Sequence, residues 1–199
     1  MKKALPLLLF IVAAFFANSQ NISDLETFEK AIKPGTVLTY DVSSAGKNYK
    51  FIVTVKSLGN EIAFDWKMTE PINKSGSVVM SANAVSKADA LFNYFSGGVS
   101  NLDKETSVWI SKKLFDDISA KAEAPIKVNG MADTATVMSN TISEFNFNLN
   151  GNLVAVPGWE LQGGGDIKYT IDVIESTKFP IITRMDLGWT IQLSEIKSQ

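Results

Sequence analysis

The chain is predicted to fold as a mainly β protein: a strongly curved antiparallel sheet or open barrel covered by two or three short helices. Apolar residues recur at every second position through most of its length, turn dipeptides fall at hairpin intervals, and only short stretches follow helical spacing. A β-sandwich would use the same strands, because strand order is not written in one sequence.

The first nineteen residues read as a secretory leader. Lys2-Lys3 precede the apolar run Ala4 to Phe16, and the small residues Ala17 and Ser19 follow two apart. The run carries Pro6 and falls well short of the roughly 20 apolar residues that cross a bilayer. A cut between Ser19 and Gln20 is predicted, leaving residues 20–199 as a single β-rich domain without a transmembrane span. Such a protein is exported to the periplasm or beyond.

After the leader, Ser23 and Glu26 form a capping box ahead of Leu25, Phe28 and Ile32, so a short amphipathic helix is predicted there, ending at Pro34-Gly35. The period then changes to two. Leu38, Tyr40 and Val42 are followed by Phe51, Val53 and Val55, and then by Ile62, Phe64, Trp66 and Met68, with turns at Gly46 and Gly59-Asn60. This pattern predicts an antiparallel meander with one apolar and one wet face. A further strand is predicted over Ser77 to Ala82.

Ser86 is read as the cap of a helix from Lys87 to Phe95, although a strand from Ala90 to Phe95 fits the same residues. Val108 to Ile110 is read as a short strand. Ser111 caps a second helix to about Lys121, with Leu114, Phe115, Ile118 and Ala122 inward and Pro125 marking the exit. Beyond it the β pattern resumes, with hairpin dipeptides at Asn129-Gly130 and Asn150-Gly151. Gly188 is read as a bulge that bends one long final strand.

Composition excludes several chemistries. The chain holds no His and no Cys, so it cannot assemble Ser-His-Asp or Cys-His nucleophile systems. Zinc and copper sites draw on the same side chains, so no metal and no cofactor are expected. Without Cys there is no disulfide and no acylation site, so the protein is not a lipoprotein. Loss of Lys2 and Lys3 with the leader takes the formal charge from −2 to −4. Arg184 is the only arginine and the lysines are scattered, which excludes a nucleic-acid partner.

No catalytic residue is predicted. Asp116-Asp117 are neighbours on a helix and point apart, Asp65 lies on a wet strand face, and Glu70 precedes Pro71 in a loop. Gly163-Gly164-Gly165-Asp166 lacks the Lys and the following helix of a phosphate cradle and is read as a turn. Asp133-Thr134-Ala135 matches a short O-glycosylation acceptor of a kind that arises often by chance. Trp66 and Trp189 are assigned to the core. Trp159 follows Pro157-Gly158 in what is read as a loop, so it is a candidate ligand contact, as are Phe92, Tyr94 and Phe95 beside Gly97-Gly98.

The stretch Pro34-Gly35-Thr36-Val37-Leu38-Thr39-Tyr40, together with Val108-Trp109-Ile110-Ser111-Lys112-Lys113-Leu114-Phe115, resembles the TapB-like uncharacterised secreted bacterial β-proteins over about residues 34–120. The resemblance implies an exported β-protein and carries no catalytic residue. After residue 120 the chain departs from that pattern, with the Gly163–Gly165 run and two long β segments.

The sequence therefore predicts an exported, non-catalytic envelope protein with a binding or structural role. Its expected partner is a small apolar ligand or another envelope protein. The rival reading, from a different class, is a glycan hydrolase that works through carboxylates. With no His, binding is expected to change little between about pH 6 and 8.

Overall fold

The computed structural model describes residues 24–128, 130–138, 143–163, 165 and 168–199. The leader, its cleavage site, and Ser23 of the capping box lie outside the described residues, as do Asn129, Gly164 and Asp166 of the two turn motifs. The protein is mainly β, with three helices among the described residues, and a closed five-stranded barrel forms its centre.

Strands β1 (Val37–Ser44), β2 (Lys47–Ser57), β3 (Ile62–Met68) and β4 (Ser75–Met80) form the antiparallel meander that the alternation requires. Leu38, Tyr40, Phe51, Val53, Val55, Phe64 and Trp66 are buried on its inner face. The outer face carries Lys50, Asp41, Lys56 and Asp65, with a Lys56–Asp65 ion pair of 2.9 Å. Helix α1 (residues 24–31) buries Phe28 and Ala31, with Ile32 just beyond it, and stacks Phe28 edge-on against Phe147 at 6.0 Å. Asp24 Oδ2 accepts a hydrogen bond from the Ala155 amide at 3.0 Å, and Glu29 accepts from Ser176 Oγ at 2.7 Å, so both faces of the helix are tied to the domain.

The chain between 81 and 91 differs from expectation. The predicted helix from Lys87 to Phe95 does not form: helix α2 (Ala82–Lys87) ends where that helix was to begin, because Ser81 is the cap and its Oγ accepts from the Ala84 amide at 3.1 Å. Ser86 instead donates its hydroxyl back to Ala82 O inside the helix. The short strand β5 (Ala90–Leu91) then pairs in parallel with β7 (Glu105–Thr106) and β8 (Glu123–Val128), and residues 92–96 have no regular structure. Strand β6 (Gly98–Leu102) lies parallel to β4. Val108 to Ile110 is not a strand: Val108 has φ 68°, and Trp109 makes one isolated bridge to Ile181.

Helix α3 (Lys112–Lys121) forms as predicted. Ser111 Oγ accepts from Leu114 N at 3.1 Å, and Leu114, Phe115 and Ile118 are buried. Ala122 is the exposed left-handed cap residue rather than part of the apolar face, and Pro125 sits inside β8 rather than at the helix exit. Asp116 and Asp117 are ion-paired to Lys112 and Lys113 one turn away, in keeping with a solvated surface.

The barrel is built from β10 (Ser143–Leu149), β11 (Asn152–Gly163), β12 (Thr170–Ile174), β13 (Ile182–Asp186) and β14 (Thr190–Lys197). Its antiparallel neighbours are paired in order. The ring closes where Asn148 and Leu149 of β10 lie parallel to Glu195 and Ile196 of β14. Asn150 (φ 51°) and Gly151 (φ 87°) make the tight β10–β11 hairpin. Gly188 (φ 82°) is not a bulge within one strand. It turns the chain between β13 and β14, where the Leu187 amide donates to Trp189 O at 2.9 Å. Strand β9 (Met131–Val137) pairs with β8 and with the far end of β11. No helix among the described residues is long and apolar enough to cross a membrane.

Apolar side chains collect in two clusters. The first joins the meander, α1 and the β10–β11 hairpin, and the second joins α3, β8, β9 and the outer half of β11 with β12 and β13. Strand β11 serves both. Val154 and Val156 enter the first cluster from one face, whereas Trp159 and Leu161 enter the second from the other. Gly158 stands at the crossover, where a Cβ would collide with Val173 O and with the Phe145 ring. Gly158→Ala is therefore expected to destabilise the protein by about 2–3 kcal/mol in urea unfolding. A loss within ~0.5 kcal/mol would mean that the crossover tolerates a side chain.

Candidate functional site

An apolar cleft lies where the two clusters meet. Tyr40 and Phe51 of the meander form one wall, Ile182 and Met185 of β13 another, and Trp189 and Ile191 reach both clusters from the β13–β14 hairpin. Residues 92–96 run over the mouth as a strap. Phe92 and Phe95 both line the cleft, on an irregular segment and not on the predicted helix. Their rings meet edge-on at 5.4 Å, and Phe95 also lies 4.6 Å from Phe51 and 5.1 Å from Trp66. The cleft encloses a cavity of about 40 Å³, room for a water molecule or a methyl group.

The Phe92 amide donates to Thr106 O at 2.8 Å, and the strap ends at Gly97 (φ 106°) and Gly98 (φ 74°), a backbone path that residues with a Cβ rarely follow. Tyr94, the third aromatic of the cluster, points away and is 77% exposed. Trp159 is not in a loop. It sits in β11, is 8% exposed, and packs against Phe115 at 5.0 Å in the second cluster, away from the cleft. Pro157-Gly158 suggested a turn at that point, but both residues pair with β10 inside the strand. Trp66 is buried as expected, and Trp189 is half-buried at the cleft.

The polar side chains bordering the cleft include those of Tyr40, Asn93, Thr106 and Ser107. Tyr40 donates its hydroxyl to Ile182 O at 3.0 Å, and burial pushes its phenol well above the ordinary range, so it stays neutral. Thr106 is 1% exposed, and among the described residues its Oγ1 finds no hydrogen-bond partner. No Lys, Arg, Asp or Glu lines the cavity.

A second cluster escaped the sequence reading. On β11, β12 and β13, Glu160, Asp172 and Arg184 stand directly opposite one another in register. Asp172 is 5% exposed, and its Oδ1 has no hydrogen-bond partner among the described residues. Burial pushes its carboxyl up to about 6, the neighbouring Glu160 adding to the shift and Arg184 opposing it. Directly paired positions bring Cβ atoms within about 5 Å, so Glu160 and Asp172 are neighbouring acids on the sheet. Neither acid lines the cleft or the two open grooves elsewhere on the surface, one beside Tyr49 and Gln192 and one beside Asp89 and Lys127. The sequence signal was Asp172 between Ile171 and Val173, which reads as an ordinary alternation.

Comparison with known protein families, with curated proteins and with solved structures finds no match for this chain.

The raised carboxyl of Asp172 has a measurable consequence. The folded protein holds this proton more tightly than the unfolded chain, whose Asp titrates near 4. Its contribution to stability is therefore fully present below about pH 4 and is lost as pH rises toward about 6. Asp172→Asn removes the charge and is expected to stabilise the protein at pH 8 by up to about 3 kcal/mol, with little effect at pH 4. Urea unfolding at the two pH values checks this. An equal effect at both would show that the carboxyl is not shifted.

Proposed function

We propose that this chain is a non-catalytic exported binding protein whose ligand is apolar and occupies the cleft between the strap and the barrel. The observation that carries this reading is the cleft itself: a wall of aromatic and aliphatic groups at the junction of two cores, covered by a short irregular segment rather than by a strand or helix. Binding sites are concave, largely apolar and furnished with few polar groups, and this is the described cavity that fits that description.

Its present volume is far below the roughly 300 Å³ of a small-molecule site. Binding then requires the Phe92 and Phe95 rings to move out with the strap, which the glycines at its end permit. The leader and the resemblance of residues 34–120 to secreted bacterial β-proteins support export to the periplasm or beyond. A second reading, a carboxylate-dependent glycan hydrolase, is favoured by the Glu160–Asp172 pair. It is the weaker one, because a general acid that is almost wholly buried and borders none of the clefts described cannot meet a polysaccharide.

The test is a titration with N-phenyl-1-naphthylamine, an uncharged apolar fluorophore. Saturable binding to one site is expected, and Ile191→Trp, which intrudes on the cleft from β14, should weaken it at least tenfold while costing about 1–3 kcal/mol of stability, a loss read separately in urea. Binding that does not saturate, or that Ile191→Trp leaves unchanged, would overturn the cleft as the ligand site.

A further inference from the structure

We propose that the ligand of the cleft is an uncharged amphiphile, an apolar chain bearing one neutral hydrogen-bonding group such as an alcohol or an ester, and that Thr106 Oγ1 receives that group. This deepens the binding reading above and rests on it.

A hydroxyl removed from water without a partner costs free energy, so buried hydroxyls in folded proteins are nearly always satisfied. Thr106 departs from that rule. It is almost completely buried, lines the cleft, and among the described residues its Oγ1 has no partner. The Tyr40 hydroxyl is engaged by Ile182 O, and Ser107 and Asn93 also border the cleft, but Thr106 is the lining residue whose buried oxygen lacks a partner among the described residues. A ligand that brings one donor or acceptor to Thr106 would satisfy this oxygen, and an apolar tail would replace the Phe95 ring against Phe51 and Trp66.

The same wall excludes ions. Neither a cation to meet a carboxylate or phosphate nor an anion to meet an amine lines the cavity. Arg184, the only arginine of the chain, is engaged beside Asp172 and Asp186 and is not part of the lining. A fatty acid would have to bury its ionised headgroup without a partner or hold it outside, and burying an unpaired charge costs far more than burying an alcohol. The cleft therefore discriminates between headgroups on the same chain, and it does so by charge.

The test is displacement of N-phenyl-1-naphthylamine at pH 8 by 1-decanol and by decanoate, both kept below their aggregation limits. Decanol is expected to displace the dye at a concentration at least tenfold lower than decanoate. Thr106→Val should erode decanol binding about fivefold, and Thr106→Ser, which keeps the hydroxyl, should restore most of it. Decanoate equal to or better than decanol overturns the inference. So does a Thr106→Val variant that keeps full decanol affinity, or a Thr106→Ser variant that binds decanol no better than Thr106→Val. Displacement by neither compound, with the dye still bound, also overturns it and leaves the cleft reading standing. Failure of the dye to bind removes both.

Discussion

Strand β14 is hydrogen-bonded along both edges, and the way it divides one of them shapes the molecule. Its outer edge is taken by β1, from Val37 opposite Lys197 to Ser43 opposite Thr190. Its inner edge is given first to β13, over residues 190–192, and then to β10, over residues 195–196. Sharing one edge between two strands closes the ring, and it leaves the meander as a wing attached to the barrel rather than as a second sheet. Strand β11 repeats the device, pairing with β10 up to Gly158 and with β9 from Leu161.

Two strands that each serve two neighbours produce two hydrophobic clusters instead of one. A side chain can point to only one face of a strand, so the hand-over from one cluster to the other falls at residues with special geometry, such as Gly158. The seam between clusters is where packing is hardest to complete, and the cleft lies there, between Tyr40 and Phe51 on one side and Ile182 and Met185 on the other. The Phe92–Phe95 strap covers what neither cluster fills. The site thus follows from the topology rather than from a catalytic motif.

Most local structure was legible in the sequence because it depends on neighbours in the chain. Alternation over Leu38 to Met68 gave the meander, Ser111 gave the start of α3, and Asn150-Gly151 gave a hairpin. Where two local signals competed, the sequence could not decide. Ser81 and Ser86 are both acceptable caps, and Leu91, Phe92 and Phe95 fall at helical spacing although they form a strand end and a strap. Gly188 fits a bulge or a turn equally well until its strand partners are known. The parallel β10–β14 pairing and the burial of Asp172 depend on residues far away in sequence and had no local signature. Of the cleft lining, Phe92 and Phe95 were singled out because they stand beside paired glycines, whereas Trp159 was placed in a loop by a Pro-Gly that lies inside a strand. Thr106 carries no sequence signal at all, since only its surroundings make its hydroxyl exceptional.

The central claim is that the strap over the seam yields to a ligand while the barrel stays intact. Amide hydrogen exchange of the full chain, with and without saturating 1-decanol, tests it most directly. The account predicts altered exchange confined to residues 92–98 and to the cleft walls on β13 and β14, with β10–β12 unchanged. Uniform protection across the barrel, or no change in the strap, would contradict it.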